Sequence, residues 1–207
     1  MSTLKLYRHP LSGHAHRAEL FLSILGLKAE LIDIDLFNGE QKKAAFLSKN
    51  IFGQIPLLED GDVTIADSNA ILVYLASQYD QEHTWLPIAP AKAAEVQRFL
   101  SLAQGLIVQG PAIARLINLF GAELDAIKAI ETAHKVLGTL EEHLESRNWL
   151  ADELPTIADI SNYPYIAHAP EGDVSLQHYP NIRAWLQRVE NLPGFIAMQA
   201  STVGLVT

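Results

Sequence analysis

Apolar and polar residues alternate over Leu4-Lys5-Leu6-Tyr7-Arg8 and again over residues 29–36, the period of two that marks a half-buried strand. Between them, residues 15–25 carry apolar side chains at helical spacing and stop at Gly26, a residue that suits the left-handed turn ending a helix. Strand, helix and strand make a βαβ unit. A polar helix over 40–47 follows, then two short strands over 56–59 and 63–65 around the Asp60-Gly61 turn, and a helix over 68–79. The element order expected for the first part is therefore βαβαββα.

After a loop holding Trp85-Leu86-Pro87 and Pro90, strand signals vanish while helical periodicity persists. Two long helices with wide apolar stripes are expected over 91–119 and 123–145, and two shorter ones over 157–167 and 182–190. The pattern divides the chain into an α/β domain over 1–81, a linker over 82–90 and an all-helical domain over 91–207. Thr156-Ile157-Ala158-Asp159 has the spacing of a capping box, a folding signal for the helix it opens.

The 207 residues are 49% hydrophobic and 19% charged, the profile of an ordinary globular protein. A formal charge of −9 with only short Lys/Arg clusters leaves no basic stripe for phosphates, so nucleic acid is not an expected partner. No apolar run reaches the ~18 residues of a membrane span, and a cytoplasmic protein that does not engage membrane is expected. The chain has no cysteine, which removes disulfides, thiolate metal sites and Cys nucleophiles together. His14-x-His16 puts two rings on different helix faces without accompanying carboxylates, so packed or solvated histidines are expected rather than a metal pair.

The segment richest in chemistry is Asn50-Ile51-Phe52-Gly53-Gln54-Ile55-Pro56-Leu57-Leu58-Glu59-Asp60-Gly61, closing with Ala66-Asp67-Ser68-Asn69-Ala70-Ile71. An Ile-Pro bond can be cis at a cost of only about 0.5–1 kcal/mol, which lets Ile55 turn its backbone N–H and C=O outward to a peptide ligand. Asp67-Ser68 falls where a helix begins, so unpaired N–H groups and the positive end of the helix dipole favour an anion there. Either residue can also serve simply as the N-cap.

In pattern, spacing and element order these segments resemble the glutathione-site core of the cytosolic glutathione transferases, specifically serine-type, phi-like bacterial members. The resemblance spans nearly the whole chain and implies a thioredoxin-like domain followed by an all-helical one. It implies conjugation of reduced glutathione to small hydrophobic electrophiles through a stabilised thiolate, with glutathione as co-substrate, no cofactor, and a homodimer. Ile55 and Pro56 would hold the cysteinyl backbone. Ser68 would hold the γ-glutamyl carboxylate, and Asp67 with Gln54 the ammonium group. Lys42 would take the glycine carboxylate, with Gln41 standing where several relatives carry His.

Glutathione's thiol, with a pKa near ~8.5, must be held as thiolate. By resemblance Ser12, five positions before Arg17, donates to the sulfur at a helix N-terminus; Ser12 can equally be the N-cap, and Tyr7 at the end of the first strand is the rival. Arg17 itself reads as a structural anchor. The second substrate would lie near Leu11, Leu36 or Phe37, Arg115 and Leu119. Phe52 would plug a partner subunit or pack within its own. The other functions open to this sequence are a non-catalytic binding protein of the same fold, or a glutathione-dependent isomerase, dehalogenase or peroxidase.

Overall fold

The structure, a computed structural model, describes residues 4–201. Strands β1 (Leu4–Arg8), β2 (Ala29–Asp33), β3 (Leu57–Asp60) and β4 (Val63–Ala66) form one sheet in the order β2-β1-β3-β4. β1 and β2 run parallel with Leu6 opposite Leu31, which requires a crossover, and α1 (Gly13–Ile24) supplies it. β3 returns antiparallel to β1, and β4 pairs antiparallel with β3 across the expected turn. The alternation then decides what each face buries. Leu6 and Leu58 join α1 and α3 (Ser68–Tyr79) in the main core, while the neighbouring Leu57 points the other way and packs with Ile34, Phe46 and Tyr7 beside the short α2 (Ala44–Leu47).

The second half is helical throughout: α4 (Pro90–Gln104), α5 (Ile113–Phe120), α6 (Ala126–His143), α7 (Ile157–Ala167) and α8 (Pro180–Glu190). Helix α7 is buried from Ile157 to Ile166 and packs against α1, α3 and α4, so the two halves share one apolar core. Polar ties cross the same boundary. Asn69 on α3 donates to the Leu100 carbonyl at 2.9 Å and accepts from the Ser161 hydroxyl at 2.6 Å. The capping box at the start of α7 forms as its sequence implies, with Thr156 N–H donating to Asp159 Oδ2 at 2.9 Å.

Several expected elements differ. The single helix over 91–119 is broken after Gln104 by Gly105, passes through a π-helical segment at Val108–Ala112, and resumes as α5. Pro111 has no N–H for the ladder, and Gly110 lets α6 come so close that a Cβ there would sit 2.7 Å from Ala133 N. The polar helix over 40–47 is a 3₁₀ turn, Glu40–Lys42, and the short α2, because Lys43 between them is extended. β2 ends at Asp33 rather than 36. By length and mean hydropathy (1.3) the run Pro90–Phe120 matches a membrane span, contrary to the expectation that none would; here Val96, Phe99, Leu100, Ala103 and Ile107 are buried in the helical core.

Candidate active site

A cleft of about 790 Å³ opens between the sheet domain and the end of α4, within the range of small-ligand sites. Of the residues singled out for glutathione, Lys42, Gln54, Ile55, Pro56, Asp67 and Ser68 all line it, although they come from three separate stretches of chain. The Ile55-Pro56 bond is cis, and among the described residues neither backbone polar group of Ile55 pairs with another backbone group. Asn50 braces the preceding loop by donating to the Gln54 carbonyl at 2.8 Å and accepting from Phe52 N–H at 3.1 Å. Gly53 lies at φ +56, and a Cβ there would meet the Gln41 carbonyl at 2.6 Å, so the loop depends on glycine.

Asp67 is the N-cap of α3, accepting from Asn69 and Ala70 N–H through Oδ1 at 2.9 and 3.0 Å. Its other oxygen accepts from the Gln104 amide at 2.9 Å. The capping reading therefore holds for Asp67, whose Oδ2 is the oxygen not used by the cap. Ser68 follows at the first helical position, its hydroxyl accepting from Arg17 at 3.1 Å and from Gln104 at 3.5 Å. Lys42, which lines the same cleft, donates from Nζ to the Phe52 carbonyl at 2.9 Å.

Ser12 caps α1, its Oγ accepting from Ala15 N–H at 3.2 Å, and among the described residues its hydroxyl proton has no acceptor. Ser12 is not among the residues that line the cleft, whereas His14, two positions further on, is. Tyr7 differs: its hydroxyl donates to Glu59 at 3.0 Å, its ring meets Phe46 edge-on, and Lys49 Nζ sits 5.1 Å from the ring centre. The residues named for a second substrate separate. Leu36 lines the cleft, whereas Leu11, Phe37, Arg115 and Leu119 do not. Arg115 is buried, ion-paired with Glu171, and donates to the Leu11 carbonyl at 2.7 Å, so it supports the loop before Ser12 from beneath. Phe37, 76% exposed, forms an aromatic group with His9 and Phe120 outside the cleft.

Sequence reasoning missed His14, Asn50, Gln104 and Val108 as lining residues. Gln104 and Val108 flank the break in the expected helix, where periodicity carries no signal. His14 and His16 are packed, as expected, and burial lowers the pKa of each to about 3, helped at His14 by the Arg17 charge and at His16 by His168. Both are thus neutral in the fold. Because their folded pKa lies below the unfolded 6.5, stability is complete above pH 6.5 and is lost as pH falls toward 3, by up to about 1.4 kcal/mol per pH unit for each ring. In denaturant melts from pH 7 to 4, His14→Gln is expected to show a shallower decline than the parent; equal slopes would contradict this.

A four-stranded mixed sheet with helices, a cis-proline beside an open backbone, and a fused helical domain define a thioredoxin-like protein with a peptide-sized cleft. Residues 2–77 match the family described as Glutathione S-transferase, N-terminal domain, and residues 110–193 match Glutathione S-transferase, C-terminal domain. Glutathione S-transferase 3 of Zea mays is 35% identical over 205 residues, covering 94% of this chain and 92% of its own. A crystal structure of glutathione S-transferase from Pseudomonas fluorescens superposes with a TM-score of 0.90 at 33% identity, covering 96% of this chain and 100% of that one. A glutathione transferase homolog from Drosophila mojavensis, crystallised with bound glutathione, gives 0.85 at 30% identity over 93% and 90% of the two chains. This chain belongs to the glutathione S-transferase family.

Proposed function

We propose that the protein conjugates reduced glutathione to small hydrophobic electrophiles, as a serine-type, phi-like enzyme. The observation that carries this reading is the meeting, in one cleft, of the open Ile55 backbone and Ser68 at the α3 N-terminus, with Ser12 capping α1 two residues before the lining His14. The cysteinyl backbone pairs with Ile55 as an added strand. Ser68 and the first N–H groups of α3 take the γ-glutamyl carboxylate, Asp67 Oδ2 and Gln54 the ammonium group, and Lys42 the glycine carboxylate.

The thiol gives its proton to solvent, and the thiolate is held by the Ser12 hydroxyl within the field of the α1 N-terminus. The sulfur then attacks the electrophilic carbon, forming a carbon–sulfur bond while a leaving group departs with its electron pair or an unsaturated acceptor takes up the charge. Holding both reactants together supplies much of the rate. The commitment of Tyr7 to Glu59 supports Ser12 over Tyr7. Turnover of an aryl halide with glutathione tests the activity; binding without turnover would leave the non-catalytic reading of the fold. A cytoplasmic enzyme follows from the need for a reduced thiol pool.

The enzyme works as a homodimer in this reading. Phe52 is 71% exposed at the rim of the cleft, beside Ile51 at 80%. A groove of about 150 Å³ between α4 and α6, lined by Phe99, Leu102, Leu106, Val136 and Leu140, is of a size to receive that ring from a second copy. Phe52→Ser is expected to shift the protein toward monomer in sedimentation velocity. A variant that sediments as the parent does would contradict the assignment.

A further inference from the structure

Ser12 stands in the short loop between β1 and α1, and its neighbours on both sides are held by the helical domain. Leu11, before it, has a carbonyl that no backbone N–H takes among the described residues. Arg115 Nη1 on α5 takes it instead, at 2.7 Å. Nε of the same guanidinium pairs with Glu171, and the two side chains are 4% and 0% exposed. Because the guanidinium is planar and rigid, anchoring Nε also fixes the direction of Nη1. The carboxylate is fixed in turn. Its Oε1 accepts from Ser201 N–H at 2.7 Å, and His168 Nδ1 lies 3.4 Å away. A Cβ on Gly172 would sit 2.5 Å from Arg115 N, so the segment carrying Glu171 lies directly on α5.

Gly13, after Ser12, meets Tyr165 of α7. A Cβ at Gly13 would stand 2.8 Å from the ring atoms Cε1 and Cζ, so the phenol fills the space a larger residue would need. The same ring meets the His14 ring edge-on at 5.0 Å, and the His14 backbone N–H interacts with its hydroxyl oxygen. Tyr165 is buried in the most enclosed helix of the fold, where close packing leaves a ring little room to give way.

An ion pair as buried as Arg115 and Glu171 contributes little net stability, since desolvation of the two charges offsets their attraction. What it does supply is a fixed direction. We propose that Arg115 and Tyr165 are positioning residues for Ser12: the helical domain clamps the chain at Leu11 and at Gly13, and so sets where the hydroxyl stands relative to the glutathione sulfur. The inference rests on Ser12 being the group that stabilises the thiolate. It gives the helical domain a part in activating glutathione.

The test measures kcat with an aryl halide, and the pKa of the bound glutathione thiol from its ultraviolet thiolate band, in variants with and without Ser12. Arg115→Met is combined with Glu171→Gln so that no buried charge is left unpaired. This double variant is expected to lower kcat by about ten- to a hundredfold, the cost of displacing a reacting group by about 1 Å. The thiol pKa is expected to rise toward its free value of ~8.5, while calorimetric affinity for glutathione stays within about twofold, because the groups at Ile55 and Ser68 are untouched. Added to Ser12→Ala, the same two substitutions are expected to cost little more, since residues that act as one unit are not additive. Tyr165→Leu is expected to reproduce the loss and Tyr165→Phe, which keeps the ring, to recover most of it; these carry the test should the double variant fail to fold. A folded double variant or Tyr165→Leu with the parent's kcat and thiol pKa overturns the proposal. So does an undiminished further loss in the absence of Ser12. Ser12→Ala with the parent's rate and thiol pKa removes the Ser12 reading itself, and the proposal with it.

Discussion

Ser12→Ala is expected to lower kcat/KM for conjugation by about a hundred- to a thousandfold, the usual cost of removing a donor aimed at developing or resident negative charge. Part of any loss is structural, because the same oxygen caps α1 and an alanine there costs about 1 kcal/mol of stability. Ser12→Thr separates the two: it restores a hydroxyl and is expected to recover much of the activity. The ultraviolet thiolate band of bound glutathione gives an independent readout, since without Ser12 the thiol should titrate nearer its free value of ~8.5. Tyr7→Phe removes the bond to Glu59 and the hydroxyl's contact with Lys49, and is expected to leave turnover nearly unchanged. Reversed outcomes for the two variants would make Tyr7 the stabilising group.

Asp159→Ala is expected to have the largest effect on stability. Asp159 has no exposed surface, and its carboxylate accepts from Leu150 N–H, Thr156 N–H and Trp185 Nε1, each at 2.9 Å. One side chain therefore closes the start of α7, fixes the loop before it and ties α8 through Trp185. Its removal leaves three donors buried without acceptors, at about 1–3 kcal/mol each. The sum approaches the whole stability of a typical domain, about 5–15 kcal/mol. Urea melts followed by tryptophan fluorescence are expected to show loss of cooperative folding or a drop of several kcal/mol; a shift below about 1 kcal/mol would contradict the role.

Local signals served well where local physics decides. The strand alternation at Leu4–Arg8, the stop of α1 near Gly26, the Asp60-Gly61 hairpin and the Thr156/Asp159 box each need only a few neighbouring residues, and each is realised. The split of the long helix was hidden because apolar periodicity continues through Gly105 and Pro111, so the pattern reads as unbroken while the hydrogen-bond ladder fails. Much of the cleft lining was readable because most of it lies in one stretch, Asn50 to Ser68. Arg115, His14 and Gln104 were not, since their roles depend on Glu171, Arg17 and Asp67, partners distant in sequence or set by side-chain direction. The guess that Arg115 lined a pocket followed its place on an apolar helix; burial of its charge against Glu171 turns it inward.

Two features of the fold bear directly on the chemistry. The Arg115 bond to the Leu11 carbonyl joins the helical domain to the loop that presents Ser12, and Gln104 joins the same domain to Asp67 and Ser68. The α/β half therefore carries the groups proposed to meet glutathione, while the helical half holds two of their supports.

The central claim is that the cleft beside Ile55 and Ser68 binds glutathione. Calorimetric titration of the purified protein with reduced glutathione tests it most directly. One saturable site per chain at or below millimolar concentration, weakened in Ser68→Ala, is the result predicted. No heat of binding at millimolar glutathione from a folded protein would contradict it.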